Sequence, residues 1–305
     1  MKRLGLLVAL LLVLGQSSNA AFPGGNGPLL VGDDDGRLWM MRSDGVRGPR
    51  LPIESSLADV SADGRWISFI ASGTRENPGL WIARARTDGS RFKILTDAVD
   101  PLPLSYGSPT WSPDGTQIVF VGQPNEQQGD TGGDLYIVPR NGGDLERVTD
   151  TPQAEQEPAW SPDGTTIAYV RCEVGPFCGP DGQLWTLKVG STDPPTLLVQ
   201  NATHPDWSPN GTRIVYECQR DVLNNERRIC VYDLATQQST VIYQRFSPAS
   251  YPVWSPNGKR IAVTIEPLTE ENNDPEIYTM RADGSDLRRI TDNRRPEILM
   301  DWVAG

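Results

Sequence analysis

Few side chains in this chain of 305 residues belong to the types that do chemistry near neutral pH. There is one histidine, His204, and there are four cysteines, Cys172, Cys178, Cys218 and Cys230. Two carboxylate groupings stand out, Glu155 with Glu157 and Asp33-Asp34-Asp35 ahead of Gly36. His204 carries the only side chain whose ordinary pKa lies near neutrality, so it could sense pH or touch a ligand; next to Pro205 it also suits a hydrogen-bonded loop position. Glu155 and Glu157 could divide acid–base work, although solvated loop carboxylates show the same spacing. The three aspartates resemble part of a calcium loop but lack its Asp-x-Asp-x-Asp-Gly alternation, and they read as a hairpin turn. No Gly-x-Ser-x-Gly offers a serine nucleophile. Cys-x5-Cys and Cys-x11-Cys are not zinc spacings, and His204 lies outside both pairs, so neither a metal nor a cofactor is expected.

Charge and targeting signals narrow the setting. Lys2 and Arg3, the apolar run 4–14 and Ser18-Asn19-Ala20 form an export signal over residues 1–20, with cleavage expected after Ala20. The run is too short to span a bilayer and no second one follows, so no transmembrane segment is expected after cleavage. Losing Lys2 and Arg3 takes the formal charge from −11 to −13 over residues 21–305, which are read as a single domain. Nucleic acid is therefore excluded as a natural partner. An even cysteine number in an exported chain predicts disulfides and a periplasmic or secreted location.

The elements that would position these residues come from a repeat. Pro-x-Trp-Ser-Pro-Asp/Asn-Gly occurs at 109–115, 158–164, 205–211 and 252–258. Trp111, Trp160, Trp207 and Trp254 are spaced by 49, 47 and 47 residues, and Trp302 follows after 48. A degenerate copy, Asp59-Val60-Ser61-Ala62-Asp63-Gly64, precedes them. Each unit reads as four strands, a to d. The tryptophan strand enters a Ser-Pro-Asp-Gly turn, in which proline presets φ and glycine takes the left-handed position. Strand b follows, as in Gln117-Ile118-Val119-Phe120, then strand c at Leu80-Trp81, Leu135-Tyr136, Leu184-Trp185, Ile229-Cys230 and Ile277-Tyr278. Strand d ends near Leu95-Thr96, Val148-Thr149 and Ile290-Thr291. Strand b is apolar on both faces, so both must be buried, and radial stacking of such sheets achieves this. Leu29-Leu30-Val31 and Arg37-Leu38-Trp39-Met40 form strands b and c that lack a strand a, which Trp302 supplies from the other end. The expectation is an all-β, six-bladed β-propeller of four-stranded antiparallel blades, closed by the C-terminal strand pairing with N-terminal strands.

In such a blade the b–c and d–a connections share one rim, and here they carry the long segments 73–78, 122–133, 173–182, 219–227 and 266–275, with 97–107 and 246–251. Loops that vary over a fixed frame are where binding resides. The residue three before each tryptophan falls near the channel mouth, giving Ser108, Glu157, His204, Tyr251 and Leu299 as a mixed ring, with Ser108, Glu157, His204 and Tyr251 as candidate binding residues. On this blade map Cys218 with Cys230, and Cys172 with Cys178, each bracket one hairpin. Those two bonds are predicted, with a 172–218 bond between adjacent blades as the alternative.

Trp-Ser-Pro-Asp-Gly-x-x-Ile-x-Phe followed by Leu-Tyr and Asp-Gly resembles the repeats of the TolB family of periplasmic propellers, over essentially all of residues 21–305. The motif is also similar to blades of prolyl-oligopeptidase-type enzymes and of oligogalacturonate lyase. TolB carries an α/β domain ahead of its propeller, and the few residues between Ala20 and Leu29 predict a propeller without one. The resemblance implies a non-catalytic, monomeric scaffold binding a protein or peptide of the cell envelope. A carbohydrate- or peptide-processing enzyme using loop carboxylates is the alternative, although the metal centre of the lyase relies on several histidines and this chain has one.

Overall fold

The computed structural model describes residues 23–305 apart from 73–79, 97–103, 124–132, 173–177, 179–181, 222–225, 246, 267–273 and 293–295. The expected signal segment 1–20 and much of the expected loop rim lie outside the described residues. No helix among the described residues is long and apolar enough to cross a membrane.

Six four-stranded antiparallel sheets are present. Blade 1 joins β1 (Asn26–Gly32), β2 (Arg37–Met41) and β3 (Arg47–Glu54) to β24 (Ile298–Ala304). Blade 2 is β4 (Ala58–Val60), β5 (Trp66–Ser72), β6 (Leu80–Arg86) and β7 (Lys93–Ile94). Blade 3 is β8 (Leu104–Trp111), β9 (Gln117–Gln123), β10 (Asp134–Pro139) and β11 (Glu146–Arg147). Blade 4 is β12 (Ala154–Trp160), β13 (Thr166–Cys172), β14 (Gln183–Lys188) and β15 (Thr196–Gln200). Blade 5 is β16 (Ala202–Trp207), β17 (Arg213–Asp221), β18 (Glu226–Asp233) and β19 (Gln238–Tyr243). Blade 6 is β20 (Ala249–Trp254), β21 (Arg260–Ile265), β22 (Glu276–Arg281) and β23 (Arg288–Arg289). The inner strands β4, β8, β12, β16, β20 and β24 touch in sequence, and β24 returns to β4 to close the ring.

The repeat residues make this geometry. In blade 3, Ser112 Oγ donates to Asp114 Oδ1 (2.7 Å), Asp114 Oδ1 accepts Thr116 N–H (3.0 Å), and Gly115 N–H donates to Ser112 O (2.8 Å) with φ of +65°. Trp111, Trp160, Trp207, Trp254 and Trp302 are buried between blades. Where strand d is short, a threonine completes it: the hydroxyls of Thr96, Thr149 and Thr291 accept the N–H of Ile82, Leu135 and Ile277 at 3.1, 2.8 and 2.9 Å.

Closure pairs Leu29 with Trp302, Leu30 with Asp301 and Val31 with Leu299. Trp302 Nε1–H donates to Gly27 O (3.2 Å), and Glu297 ion-pairs with Arg47. The disulfides are Cys172–Cys178 and Cys218–Cys230, with Cα–Cα distances of 4.8 and 5.8 Å. Cys230 stands opposite Tyr216 in the strand register. Cys218, two residues on, is its diagonal neighbour on the same face, and such neighbours come within bridging reach. The Asp33 segment is a turn: Asp33 Oδ1 accepts Asp35 N–H and Arg37 N–H, and its carboxylate pairs with Arg37.

Candidate functional site at the channel mouth

Several inner strands are bulged at one level: in β8 the pairing with β9 shifts between Gly107 and Thr110 with no left-handed residue there, whereas three others each carry one. Pairing of β12 with β13 shifts between Gln156 and Ala159, β16 with β17 between Thr203 and Asp206, and β20 with β21 between Ser250 and Val253. At each of these three shifts one non-glycine residue takes the left-handed region, Glu157 at φ 53°, His204 at 51° and Tyr251 at 54°. Each precedes a proline, which has no N–H for the bulge to orphan. The strain, on the order of 1–2 kcal/mol per residue, is held by neighbouring blades. Glu157 Oε2 on blade 4 accepts His204 N–H (2.6 Å) on blade 5, and Glu217 Oε1 on blade 5 accepts Tyr251 N–H (3.0 Å) on blade 6.

The same two carboxylates grip the imidazole. His204 Nε2 lies 3.1 Å from Glu157 Oε1, and Nδ1 lies 3.0 Å from Glu217 Oε1. These are charge contacts more than aligned hydrogen bonds. The ring meets Tyr251 edge to face with centroids 4.7 Å apart. Arg227 bounds the group, with Nη1 3.3 Å from Glu266 Oε1 and 3.4 Å from Ser250 Oγ. Burial disfavours the charged imidazole, but Glu157 and then Glu217 outweigh it and raise His204 above 6.5. Burial also opposes ionisation of Glu217, and His204 and then Arg227 overcome it, holding that carboxyl below 4.5. Burial, followed by Glu217, pushes the Tyr251 hydroxyl up, so it stays a neutral donor.

Of the ring positions, Glu157, His204 and Tyr251 thus come together. Ser108 is buried in β8, and Leu299 packs with Val253, Ala262 and Trp302, its N–H donating to Thr264 Oγ1 (3.1 Å). Sequence reasoning missed Glu217, which sits in strand b where Val121, Val170 and Thr264 stand in other blades. Glu155 is separate in role: buried, it meets Arg171 (3.1 Å) and the hydroxyls of Thr151 and Thr149. Burial raises it to about 7.

A second set of carboxyls lies one step deeper: Asp206 and Asp301 precede Trp207 and Trp302, and Asp59 holds the same place in the degenerate copy. Asp206 Oδ2 accepts Trp254 N–H (2.6 Å), and in the degenerate copy Asp59 Oδ2 accepts Trp111 N–H (2.7 Å). Asp301 of β24 neighbours Asp59 across the closure, where burial and then Asp301 raise Asp59 well above 3.8.

The mouth cluster has a pH signature. A raised imidazole pKa adds stability that is full below 6.5 and lost as pH climbs through the raised value. The lowered Glu217 adds stability that is full above 4.5 and lost as pH falls through its depressed value. His204→Asn, which tolerates the left-handed backbone, is expected to cost roughly 3 kcal/mol between these limits and less on either side. Denaturant unfolding across pH checks this, and a constant difference from pH 4 to 9 would contradict it.

The comparisons with known proteins agree with this architecture. The family profile described as TolB beta propeller domain matches residues 33–221. TolB from Acinetobacter baumannii superposes with a TM-score of 0.70 at 16% identity, over 92% of this chain and 67% of that one. Oligogalacturonate lyase from Vibrio parahaemolyticus gives 0.58 at 16% identity, over 90% and 77%. A puromycin-hydrolyzing peptidase of Mycobacterium tuberculosis gives 0.51 at 13% identity, over 89% and 45%. No curated protein matches the sequence. The chain belongs to the TolB β-propeller domain family.

Proposed function

We propose that this propeller is an extracytoplasmic, non-catalytic scaffold that engages a protein or peptide of the cell envelope through its loop-bearing rim and channel mouth. The observation that carries the reading is the set of three strained, left-handed residues, Glu157, His204 and Tyr251, presented side by side where three blades meet. Backbone strain kept by over-determined contacts is a mark of binding sites. The two disulfides favour an oxidising compartment. A second reading, a carbohydrate- or peptide-processing enzyme, draws on Glu155, whose raised value near 7 suits general acid work. Full burial of Glu155 and its engagement by Arg171 weigh against access to a substrate.

Affinity capture from envelope extract separates the two. The scaffold reading expects a discrete protein retained by the parent chain and bound about tenfold more weakly by Tyr251→Asn. Turnover of any member of a polysaccharide and peptide panel, abolished by Glu155→Gln, would support the enzyme instead.

A further inference from the structure

The opposite rim, made of tight turns, carries a charge anomaly between blades 2 and 3. In β6, Arg84 stands opposite Ser68. At the same place in the repeat Ile137 faces Val119, Thr186 faces Ala168, Val231 faces Val215 and Thr279 faces Ala262. One blade therefore puts a guanidinium where its sisters put small or apolar side chains. Arg84 is only 9% exposed. Its recorded hydrogen bonds go to neutral groups: Arg140 O at 2.7 Å, Arg91 O at 3.3 Å and Asn141 Oδ1 at 3.2 Å.

Its neighbours deepen the imbalance. The Arg84 guanidinium lies 4.3 Å from the centre of the Trp66 indole, and those of Arg86 and Arg140 lie 5.6 and 5.7 Å from the same ring. Lys93 reaches over to bond Asn141 O. Burial, then Arg140 and Arg91, depress the Arg84 pKa, as uncompensated like charges do. Among the described residues no carboxylate pairs with Arg84, Arg86, Arg91, Lys93 or Arg140. The nearby Asp63 and Asp88 cap their own turns, on Ser61 and Arg65 and on Ser90. Blade 6 supplies the contrast. There Arg260 occupies the position of Trp66 and is neutralised by Asp286 at 2.8 Å, in the position held by Arg91. Buried guanidinium groups are ordinarily paired, yet the buried Arg84 and the half-buried Arg140 beside it have no carboxylate partner in a chain of net charge −11, which leaves room for an anion.

We propose that this interblade cleft binds a phosphate-type oxyanion, gripped by Arg86 and Arg140 and attracted by Arg84 around Trp66. A carboxylate occupies one guanidinium fork. A phosphate monoester, near −2 with three acceptor oxygens, can meet the forks of Arg86 and Arg140 together, while Arg84, whose nitrogens already donate to Arg140 O, Arg91 O and Asn141 Oδ1, adds its charge. The group can come from a soluble phosphate ester or from a lipid headgroup. The site is on the rim opposite the mouth cluster, so it stands or falls independently of the scaffold reading.

The test uses residues 21–305, titrated calorimetrically with inorganic phosphate and pyrophosphate at low salt. In parallel, the same chain is sedimented with phosphatidylcholine vesicles with and without phosphatidic acid. Saturable binding in either arm, weakened about tenfold or more in Arg86→Gln with Arg140→Gln, is the expected result. Binding in the vesicle arm alone assigns the headgroup source, and binding in the soluble arm assigns a free ester. Arg86→Gln alone, at an exposed position, carries the comparison if the double variant does not fold. Absence of binding in both arms, unchanged affinity in the variants, or binding of polyglutamate but not pyrophosphate would overturn the proposal.

Discussion

Deleting residues 296–305 is expected to unfold the whole propeller rather than loosen one blade. The segment contains β24, the innermost strand of blade 1, and buries Leu299, Met300, Trp302 and Val303. At about 1.5–3 kcal/mol for each large apolar side chain, the lost burial is on the order of 6–12 kcal/mol, comparable with the entire stability of a typical domain. Deletion also opens the ring, leaving the edge of β1 unpaired and the inner faces of blades 1 and 2 wet. Circular dichroism and calorimetry of the truncated chain should show no cooperative transition, or one far below the parent's. Melting at the parent's temperature would show that the clasp is dispensable.

The second large effect sits at the same junction. Asp59 and Asp301 face one another across the closing strands, and Asp59 is held well above 3.8 by burial and by Asp301. The native state therefore keeps a proton that the unfolded chain gives up. Stability is full below about 3.8 and declines as pH rises through the raised native value. Asp59→Asn keeps an acceptor for Trp111 N–H and adds a donor toward Asp301. It is expected to match the parent in acid and to exceed it by on the order of 1–3 kcal/mol at pH 8. Urea unfolding at pH 4 and pH 8 measures the difference, and a variant less stable than the parent at both values would refute the shared-proton pair.

The blade architecture was legible because the repeat states it several times over. Trp-Ser-Pro-Asp-Gly gives turn, burial and strand order at once, and the orphan strands at Leu29 and Trp302 required each other. The disulfides followed from strand positions, with Cys218 and Cys230 two register steps apart on one face. The mouth was half legible. Spacing picked out Glu157, His204 and Tyr251, and the proline after each was a signal for the bulge that went unread. Glu217 was hidden because it takes a strand-b place held by Val121, Val170 and Thr264 in other blades; it reaches His204 through the pairing of β16 with β17 in blade 5, where Thr203 stands opposite it, and Tyr251 of blade 6 then joins the pair. The arginine cleft was invisible because Arg84 and Arg86 lie in β6 of blade 2 whereas Arg140 follows β10 of blade 3. Residues paired by local period can be read from sequence, whereas residues paired across blades depend on the ring having closed.

Site-specific photo-crosslinking in envelope extract tests the scaffold reading most directly. A photoreactive side chain is placed at Gln156 or Thr203 beside the mouth cluster, and at Asp163 or Asn210 in the tight turns of the opposite rim. The account predicts one discrete protein adduct from the mouth positions, competed by excess unlabelled chain and diminished by His204→Asn, with that adduct absent from the turn positions. The same adduct arising equally from both rims, or only from the tight-turn rim, would contradict it.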